Sequence, residues 1–383
     1  MSGMGRAARA PVGIAYFSDA PYIGGAEKYL LLLASRIDRS AFEPALILNR
    51  NPRLEPLAVS AAEAGVAVHE VSLRLPSFRG VRQCVELLRR LRPAILHCNL
   101  PGPLDSQMSL MAPLARAAGV PRVVTTEHLP MVVSPLKGRL VRRFASRSVD
   151  RVITVSRDNA RHLERGYGVP ARKIRVVYIG VPDWRGGPAE IRRELGVAPG
   201  AHLAAMVGAL EERKGHRTAF RALARIGERA HLVVVGSGEM EGSYRSEVAS
   251  LGIGARVHFL GYRADVDSIL RGVDSLLLPS EIDATPYVAV EAMAAGIPVV
   301  ASRIYGIPEL VEDGVTGTLV PSGSVDACAR ALEALIDDPA RCKRMGEKGR
   351  LRYEERFTIE RSVSETAAVY RELLEGSPAH RAS

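Results

Sequence analysis

Cysteine is scarce in this sequence, and long apolar runs are missing. Four cysteines occur among 383 residues, and none forms the short pairs that bind zinc or build a disulfide framework. We therefore expect them to be small core residues in a reducing compartment. No run of about eighteen apolar residues is present, so we expect no membrane-spanning helix. The basic N-terminal segment lacks an apolar core, which disfavours a secretory signal and favours a cytoplasmic protein.

Aromatic residues are also few, at 5% of the chain, although the net charge is +10. Residues 1–181 hold 27 Lys and Arg against 13 Asp and Glu, so the positive charge lies in the first half. A basic first half indicates either an anionic partner, such as a membrane surface, or a solvated Arg-rich surface. Nucleic acid is disfavoured as that partner, because the basic half lacks interleaved exposed aromatic residues.

Two binding motifs are incomplete. The stretch VVVGSGEMEG (233–242) lacks the G-x-G-x-x-G spacing of a dinucleotide-binding turn, so we interpret Gly236 and Gly238 as a tight turn and disfavour an NAD-dependent dehydrogenase. Asp265 and Asp267 form an Asp-x-Asp pair of the kind that binds metal in some enzymes. They begin a helical pattern, however, where capping and the helix dipole favour Asp. With no other clustered carboxylates or histidines, we predict no catalytic metal.

The sequence does contain a regular alternation of short β-branched runs with longer helical segments. Twelve such runs form two sets, from VGIAYFS (12–18) to IRVVYIG (174–180) and from HLAAMVG (202–208) to GTLVP (317–321). Near-continuous apolar strands between helices predict parallel sheets covered on both faces. We therefore predict an α/β protein with two Rossmann-like, doubly wound domains facing across a cleft.

A stretch rich in Gly and Pro, VPDWRGGPAE (181–190), divides the two sets. The predicted domains are residues 1–181 and residues 182–357. The last segment, 358–383, is predicted to be a helix that packs back on the first domain, followed by a tail.

The segment EIDATPYVAVEAMAAGIPVVAS (281–302) combines an apolar helix with a single acid. Thr285 and Pro286 are typical of a helix start, and Gly296 is typical of a helix end. Apolar residues on nearly every face predict burial, which leaves Glu291 as a lone buried carboxylate in need of a partner. The helix start, at Tyr287 and Val288, offers backbone amides to an anion such as phosphate.

Three further residues lie at the ends of predicted strands or in the loops after them, where doubly wound sheets bind ligands. Lys214 lies in the loop after the run 202–208, where it is either a phosphate-binding residue or a solvated one. Gly25 follows the first strand, in a turn that allows close backbone approach to a ligand. His128 ends the run RVVTTEH (122–128), where it is either structural or suited to proton or phosphate chemistry.

Six stretches together resemble the retaining glycosyltransferases of family 4, which have the GT-B fold. They are GGAEKY (24–29), VITVS (152–156), VGALEERKG (207–215), VHFLGY (257–262), LPSEIDATPYVAVEAMAAGIPVVAS (278–302) and GIPELVEDGVTGTLV (306–320). The resemblance runs from about residue 12 to about residue 375. It implies a nucleoside diphosphate sugar as donor substrate, an acceptor hydroxyl, retention at the anomeric carbon, and neither a metal nor a cofactor.

The resemblance also implies roles for individual residues. Glu291 matches the second acid of the family's E-x7-E motif, which holds the nucleotide ribose, and Asp283 matches the first, which contacts the donor sugar. Lys214 matches the Lys that neutralises the diphosphate. His128 resembles the His near the transferred sugar and the β-phosphate.

The backbone positions have counterparts as well. Tyr287 and Val288 match the helix-start amides on the phosphates, and Gly25 falls in the loop that faces the diphosphate from the first domain.

Two positions depart from the family pattern. Asp283 is shorter than the usual Glu, and Ala209 stands where the family has an Arg. Either Arg213 or the Arg residues of the first domain are candidates to supply the missing charge. The favoured function is hexosyl transfer in bacterial polysaccharide or glycolipid assembly, onto a sugar or lipid-linked acceptor. Two alternatives stay open: a sugar-nucleotide epimerase of the same fold, and a non-catalytic sugar-nucleotide-binding scaffold.

The stretch SPLKGRLVRRFASRSVDR (134–151) predicts contact with a membrane surface. Leu136, Leu140 and Phe144 recur every four positions, which gives one apolar stripe on a helix. The neighbouring flank consists of Arg139, Arg142, Arg143 and Arg147. A flank of this kind favours peripheral binding to an anionic membrane, on its cytoplasmic face.

Overall fold

The computed structural model describes residues 10–72, 78–100, 111–128, 146–183 and 186–375. These residues form two compact units, each built on one parallel sheet. The first unit comprises Met1–Val155, Asn159–Tyr178 and Ile359–Ser383, and the second comprises Ser156–Asp158 and Ile179–Thr358. The prediction of two parallel-sheet α/β domains is thereby confirmed.

The first unit contains seven strands within the described residues. They are β1 Val12–Ser18, β2 Phe42–Asn49, β3 Ala67–Val71, β4 Ile95–Leu100, β5 Arg122–Glu127, β6 Arg151–Thr154 and β7 Ile174–Val176. Their order in the sheet is β3-β2-β1-β4-β5-β6-β7, and every pairing is parallel. The strand order reverses between β1 and β4, which makes the carboxyl ends of these two strands the expected ligand-binding edge.

The second unit contains six strands within the described residues. They are β8 His202–Val207, β9 Ala230–Val235, β10 Val257–Gly261, β11 Ser275–Leu278, β12 Val299–Ser302 and β13 Gly317–Val320. Their order is β10-β9-β8-β11-β12-β13, again parallel throughout. The order reverses between β8 and β11, so the loops that follow these two strands meet at the expected binding edge.

All twelve predicted runs overlap observed strands, and one observed strand, β3, was not predicted. β3 lies at the edge of the first sheet, and only Val71 of its five residues is buried. An edge strand needs little apolar surface, so AVHEV lacks the apolar character by which the other strands were found.

The described helices are numbered along the chain. They are α1 Gly25–Arg36, α2 Glu55–Glu63, α3 Phe78–Leu91, α4 Met111–Ala117, α5 Arg157–Tyr167, α6 Ile191–Glu194, α7 His216–Arg225, α8 Glu241–Ser250, α9 Val266–Arg271, α10 Tyr287–Ala295, α11 Ile307–Leu310, α12 Val325–Asp337, α13 Pro339–Arg356 and α14 Ile359–Glu375. In the second unit, α10 packs against α9, α13 and the strands β11 and β12. This packing holds the start of α10 at the carboxyl edge of the sheet.

The last helix, α14, is joined to the first unit through buried hydroxyl and imidazole groups. The hydroxyl of Tyr29 on α1 lies 2.8 Å from Oγ of Ser362. His97 on β4 is hydrogen-bonded through Nδ1 to the Tyr370 hydroxyl and through Nε2 to Oγ1 of Thr126, at 2.6 Å. Because His97 is only 1% exposed, burial lowers its pKa to about 3 and keeps the ring neutral.

Three other sequence predictions concern the surface and the core. All four cysteines are buried, as expected of core residues. Across the described ranges, each helix is too short or too polar to span a bilayer. The predicted membrane-binding stretch lies mostly outside the described residues, and of its four flank arginines only Arg147, in a turn at Ser146–Ser148, is among them.

The neutral state of His97 predicts a pH dependence of stability. The unfolded chain protonates this side chain near pH 6.5, whereas the folded chain does not until about pH 3, so acidification favours unfolding. Below about pH 6, His97 should lower the free energy of unfolding by about 1.4 kcal/mol per pH unit. Urea unfolding at pH 7, 6 and 5 should therefore give a shallower pH dependence for His97→Gln than for the wild type. Equal slopes would contradict the prediction.

Candidate functional site

The loop after β11 leads into α10 and carries most of the predicted nucleotide-binding residues. Helix α10 begins at Tyr287, and Pro286 is its N-cap, with φ −64° and ψ 123°. The prediction that Thr285 caps the helix is therefore wrong by one residue, because Pro286 is still extended. Gly296 ends the helix with φ +75°, as predicted.

The start of α10 suits an anion. The positive end of the helix dipole lies there, and Val288 in the first turn is buried. Thr285, just before the helix, is 9% exposed, and its Oγ1 is buried with no hydrogen-bond partner among the described residues. Buried hydroxyls are normally paired, so this one retains capacity for a further bond.

Glu291 is half-buried, so the prediction that its carboxylate is buried is wrong, and it has an interaction within the protein. The helix is not buried on every face. Tyr287, Glu291 and Ala294 are all partly exposed, and their spacing of four and three residues puts them on one face. Glu291 therefore lies one turn beyond Tyr287, on the side of α10 that remains open.

Lys214 ends a short 3-10 turn, Glu212–Lys214, that follows β8. The next residue, Gly215, has φ +72°, and a Cβ there would lie 2.0 Å from the carbonyl oxygen of Pro279. Only glycine allows the two backbones to come this close. The carbonyl of Arg213 also accepts a hydrogen bond from the amide of Glu281, at 2.8 Å. The loops after β8 and β11 are thus fixed to each other.

An ion pair joins these two loops at the switch point of the second sheet. Nζ of Lys214 lies 2.5 Å from Oδ2 of Asp283. The side chains are 17% and 6% exposed, so the pair is largely removed from water. Oγ of Ser280 is 3.4 Å from the same carboxylate oxygen. The structure thereby brings together two of the predicted site residues that lie 69 positions apart in the sequence.

The charge of Arg213 is already matched. Its Nε donates to Oε2 of Glu211 at 2.6 Å, and both side chains are about a quarter exposed. Arg213 therefore does not supply an unpaired cation in place of the family's Arg at position 209.

The incomplete glycine motif has a structural explanation. A Cβ at Gly236 would lie 1.9 Å from the carbonyl oxygen of Gly208, and one at Gly238 would lie 2.5 Å from that of Leu210. These glycines let the turn after β9 press against the loop that leads to Lys214. Gly236 and Gly238 are therefore explained by this close backbone contact, which stabilises the loop that carries Lys214.

The Asp-x-Asp pair lies at a helix start, as the sequence analysis favoured. Asp265 is the N-cap residue of α9, and its two carboxylate oxygens accept bonds from Arg263, each at 2.8 Å. Asp267 pairs with Arg271 one turn later, also at 2.8 Å. Within the described residues, no group of three or more His, Cys, Asp and Glu side chains is arranged to hold a metal ion.

In the first unit, His128 directly follows β5 and is held by Asn99 on β4. Nε2 of His128 lies 2.7 Å from Oδ1 of Asn99, whose Nδ2 donates to the carbonyl of Ala26 at 3.3 Å. Because Oδ1 can only accept, Nε2 carries the proton and Nδ1 carries a lone pair. Desolvation lowers the pKa of His128 to about 4, so the ring is neutral at pH 7. Its ring packs edge-on against Tyr29, with 5.7 Å between the centroids.

Gly25 is the first residue of α1, and two acids, Asp19 and Glu27, lie near the start of this helix. Oε2 of Glu27 accepts a bond from the amide of Gly24 at 3.0 Å. Burial raises the pKa of Glu27, and the charge of Asp19, the residue after β1, raises that pKa further. Burial also raises the pKa of Asp19, to about 6. The helix start at Gly25 thus has acids nearby, whereas the acid that precedes α10, Asp283, is paired with Lys214.

Sequence reasoning missed Asn99 and Asp19. Both lie at the carboxyl ends of the strands that flank the first switch point, so the rule that identified His128 would have selected them. Asn99 matters most, because it joins β4, the first turn of α1 and His128.

The Lys214–Asp283 pair predicts that removing one partner destabilises the protein more than removing both charges. Lys214→Met leaves the nearly buried Asp283 carboxylate unpaired, which should lower the free energy of unfolding by about 3–5 kcal/mol. The double variant Lys214→Met, Asp283→Asn should recover most of this loss. Thermal and urea unfolding measure both effects, and Lys343→Met is the control, since Lys343 is 80% exposed. A double variant no more stable than the single one would contradict the prediction.

Two family models match the chain in tandem. The model described as glycosyltransferase family 4 matches residues 23–185, and that described as glycosyl transferases group 1 matches residues 188–352. Among curated relatives, a D-inositol 3-phosphate glycosyltransferase of Streptomyces bingchenggensis is 31% identical over 60% of this chain and 54% of its own length. A 2-deoxystreptamine glucosyltransferase of Streptomyces kanamyceticus is 29% identical over 76% of this chain and 81% of its own. The chain spans about half the length of the D-inositol 3-phosphate glycosyltransferases that it matches.

Solved structures share the fold over nearly the whole chain. HepE of Anabaena, in complex with UDP, superimposes with a TM-score of 0.82 at 22% identity, over 94% of this chain and 100% of that one. The same protein in complex with UDP-glucose gives a TM-score of 0.79, again at 22% identity, over 94% of this chain and 99% of that one. With two glycosyltransferase domains in tandem and this shared fold, the chain belongs to the family 4 glycosyltransferases of the GT-B fold.

Proposed function

We propose that the chain transfers a sugar from a nucleoside diphosphate sugar to an acceptor hydroxyl, with retention at the anomeric carbon and without a metal ion. The observation that carries this proposal is the Lys214–Asp283 pair at the switch point of the second sheet, beside the start of α10. The complexes of HepE with UDP and UDP-glucose support a donor of this class.

Lys214 and α10 account for departure of the leaving group. A nucleoside diphosphate gains negative charge as its bond to the sugar breaks, and a fixed cation next to a helix start stabilises that charge without reorganisation. Asp283 holds the Lys214 ammonium in position before the donor arrives. Its carboxylate also remains beside the phosphates, where it accepts hydrogen bonds from donor-sugar hydroxyls.

Glu291 accounts for binding of the ribose. It lies four residues beyond Tyr287 on the open face of α10, which is about 6 Å along the helix axis. A diphosphate at the helix start would therefore extend its ribose along this face toward the Glu291 carboxylate. Carboxylates bind sugar hydroxyl pairs through charge-assisted bonds.

His128 acts as a neutral group in this proposal. With a pKa of about 4, it adds no positive charge to the leaving diphosphate. With Nε2 donating to Asn99, its Nδ1 is a hydrogen-bond acceptor, which suits a hydroxyl of the transferred sugar. In this mechanism no side chain acts as the base for the acceptor hydroxyl. The departing phosphate takes the proton of that hydroxyl instead.

The physiological role is proposed from the sequence alone. The basic residues 1–181 favour acceptors presented at an anionic surface, so we propose a sugar or lipid-linked acceptor in bacterial polysaccharide or glycolipid assembly. The proposed location is the cytoplasmic face of the membrane.

Donor turnover tests the proposed function. The chain, incubated with UDP-glucose and other nucleoside diphosphate hexoses but no acceptor, should slowly release nucleoside diphosphate and free sugar, and excess chelator should not change the rate. An epimerised donor would favour the epimerase, and no reaction would favour the scaffold. Loss of turnover on chelation, with recovery on adding manganese or magnesium, would contradict metal independence.

One variant and its control test whether UDP binds at the candidate site. Glu291→Gln should weaken UDP binding, measured by calorimetry, by about 1–3 kcal/mol for a lost charge-assisted bond. Its control is Glu347→Gln, because Glu347 is 61% exposed in the same unit. Equal UDP affinity in both variants would remove the ribose role from Glu291.

Membrane binding needs a separate experiment. At about 1 kcal/mol for each basic residue near an anionic surface, the four flank arginines should give loose, salt-reversible binding to vesicles that contain anionic lipid. Replacing Arg139, Arg142, Arg143 and Arg147 by Gln should abolish sedimentation with those vesicles and leave UDP binding intact. Equal sedimentation with neutral and anionic vesicles would contradict the proposed surface.

A further inference from the structure

Tyr305 has a backbone conformation that bulky residues rarely adopt. Its φ is +44°, and among the described residues Arg92, at +45°, is the other non-glycine residue with a positive φ. Arg92 directly follows α3, where a left-handed residue commonly ends a helix. Tyr305 does not end a helix, and an aromatic residue at positive φ is a true outlier. Outliers of this kind concentrate at ligand-binding and active sites.

The turn around Tyr305 is fixed on both sides. It connects β12 to α11, and the amide of Ile307 donates to the carbonyl of Ile304 across the turn, at 3.1 Å. The next residue, Gly306, is pressed against the loop after β11, because a Cβ there would lie 2.4 Å from the carbonyl oxygen of Ala284. The surrounding backbone therefore imposes the left-handed conformation on Tyr305.

The side chain of Tyr305 is not part of the core. It is 41% exposed, one of the few large apolar side chains in the described residues that remain so open. Packing within the protein therefore does not explain why an aromatic residue occupies a position where glycine would be unstrained.

Tyr305 also lies beside the candidate site. β12 is the neighbour of β11 in the sheet, so the turns after these strands share one edge. Gly306 contacts the backbone of Ala284, and Ala284 directly follows Asp283, the partner of Lys214.

We propose that Tyr305 offers its ring to the hexose of the donor and thereby contributes to the choice of sugar. This inference rests on the proposed function. A hexopyranose ring has an apolar face of C–H groups, and an exposed aromatic ring provides a rigid, apolar surface of matching size. The strained backbone turns that surface outward at the point where Asp283 meets the sugar hydroxyls.

Three variants and two ligands test the proposal. Tyr305→Asn tolerates the left-handed conformation but lacks the ring, and Tyr305→Phe keeps the ring. Arg92→Asn is the matched control, because it eases the same backbone conformation in the first unit. Calorimetry measures the affinity for UDP and for a panel of UDP-hexoses, and thermal unfolding measures Tm.

The expected result separates the sugar from the nucleotide. Tyr305→Asn should bind UDP like the wild type and have an equal or higher Tm, since strain is relieved. Its affinity for the best-bound UDP-hexose should fall by about fivefold to tenfold, the loss expected for one aromatic contact. Tyr305→Phe and Arg92→Asn should bind both ligands like the wild type.

Three results would overturn the inference while the proposed function stands. The first is an affinity of Tyr305→Asn for the UDP-hexose equal to that of the wild type. The second is a wild type that binds no UDP-hexose more tightly than UDP. The third is a Tm for Tyr305→Asn several degrees below that of the wild type, which would make the ring a packing residue. A wild type that does not bind UDP would instead overturn the proposed function, and this inference with it.

Discussion

The contact between Lys214 and Asp283 holds the candidate site of the second unit together. Each residue lies in a loop that leaves a strand next to the switch point, and an isolated loop of either kind would be free to move in water. The missing side chain at Gly215 lets the two backbones touch, and the bond from the amide of Glu281 to Arg213 locks their register. The ammonium is therefore positioned and partly dehydrated before any ligand binds, which is the condition for electrostatic stabilisation of a leaving group.

The first unit uses the same architecture with different charges. Asn99 joins the end of β4 to α1 and to His128, and the ring that it orients is neutral. Glu27 satisfies the amide of Gly24, so the start of α1 already has an internal anion. The two equivalent switch points therefore differ in charge. The second unit presents the Lys214 ammonium, whereas the first presents the neutral ring of His128 and the acids Asp19 and Glu27. This difference agrees with the proposed binding of the nucleoside diphosphate by the second unit.

The sheets could be predicted from the sequence, because strands buried on both faces are mostly apolar. β3 could not, since its polar His69 and Glu70 lie at an edge where burial does not select the residues. At the site, family motifs selected Lys214 and Asp283 separately. Their contact spans 69 residues and depends on two loop conformations, which no local pattern encodes. The half-exposed face of α10 was also missed, because small residues such as Ala294 look equally apolar whether they are covered or open.

Backbone strain is the feature least visible in a sequence. Where the second unit needs a left-handed residue at the end of α10, the sequence provides Gly296, and the pattern predicts it. In the turn after β12, the order Tyr305-Gly306 suggests that the glycine absorbs the unusual conformation. The structure shows the reverse: Gly306 has an ordinary φ of −82°, and it is glycine because Ala284 leaves no room for a Cβ. Tyr305 takes the positive φ instead. Since a single change to glycine would relieve that strain, and the exposed ring adds little to the core, the reason for a tyrosine at this position lies in what the ring contacts outside the protein.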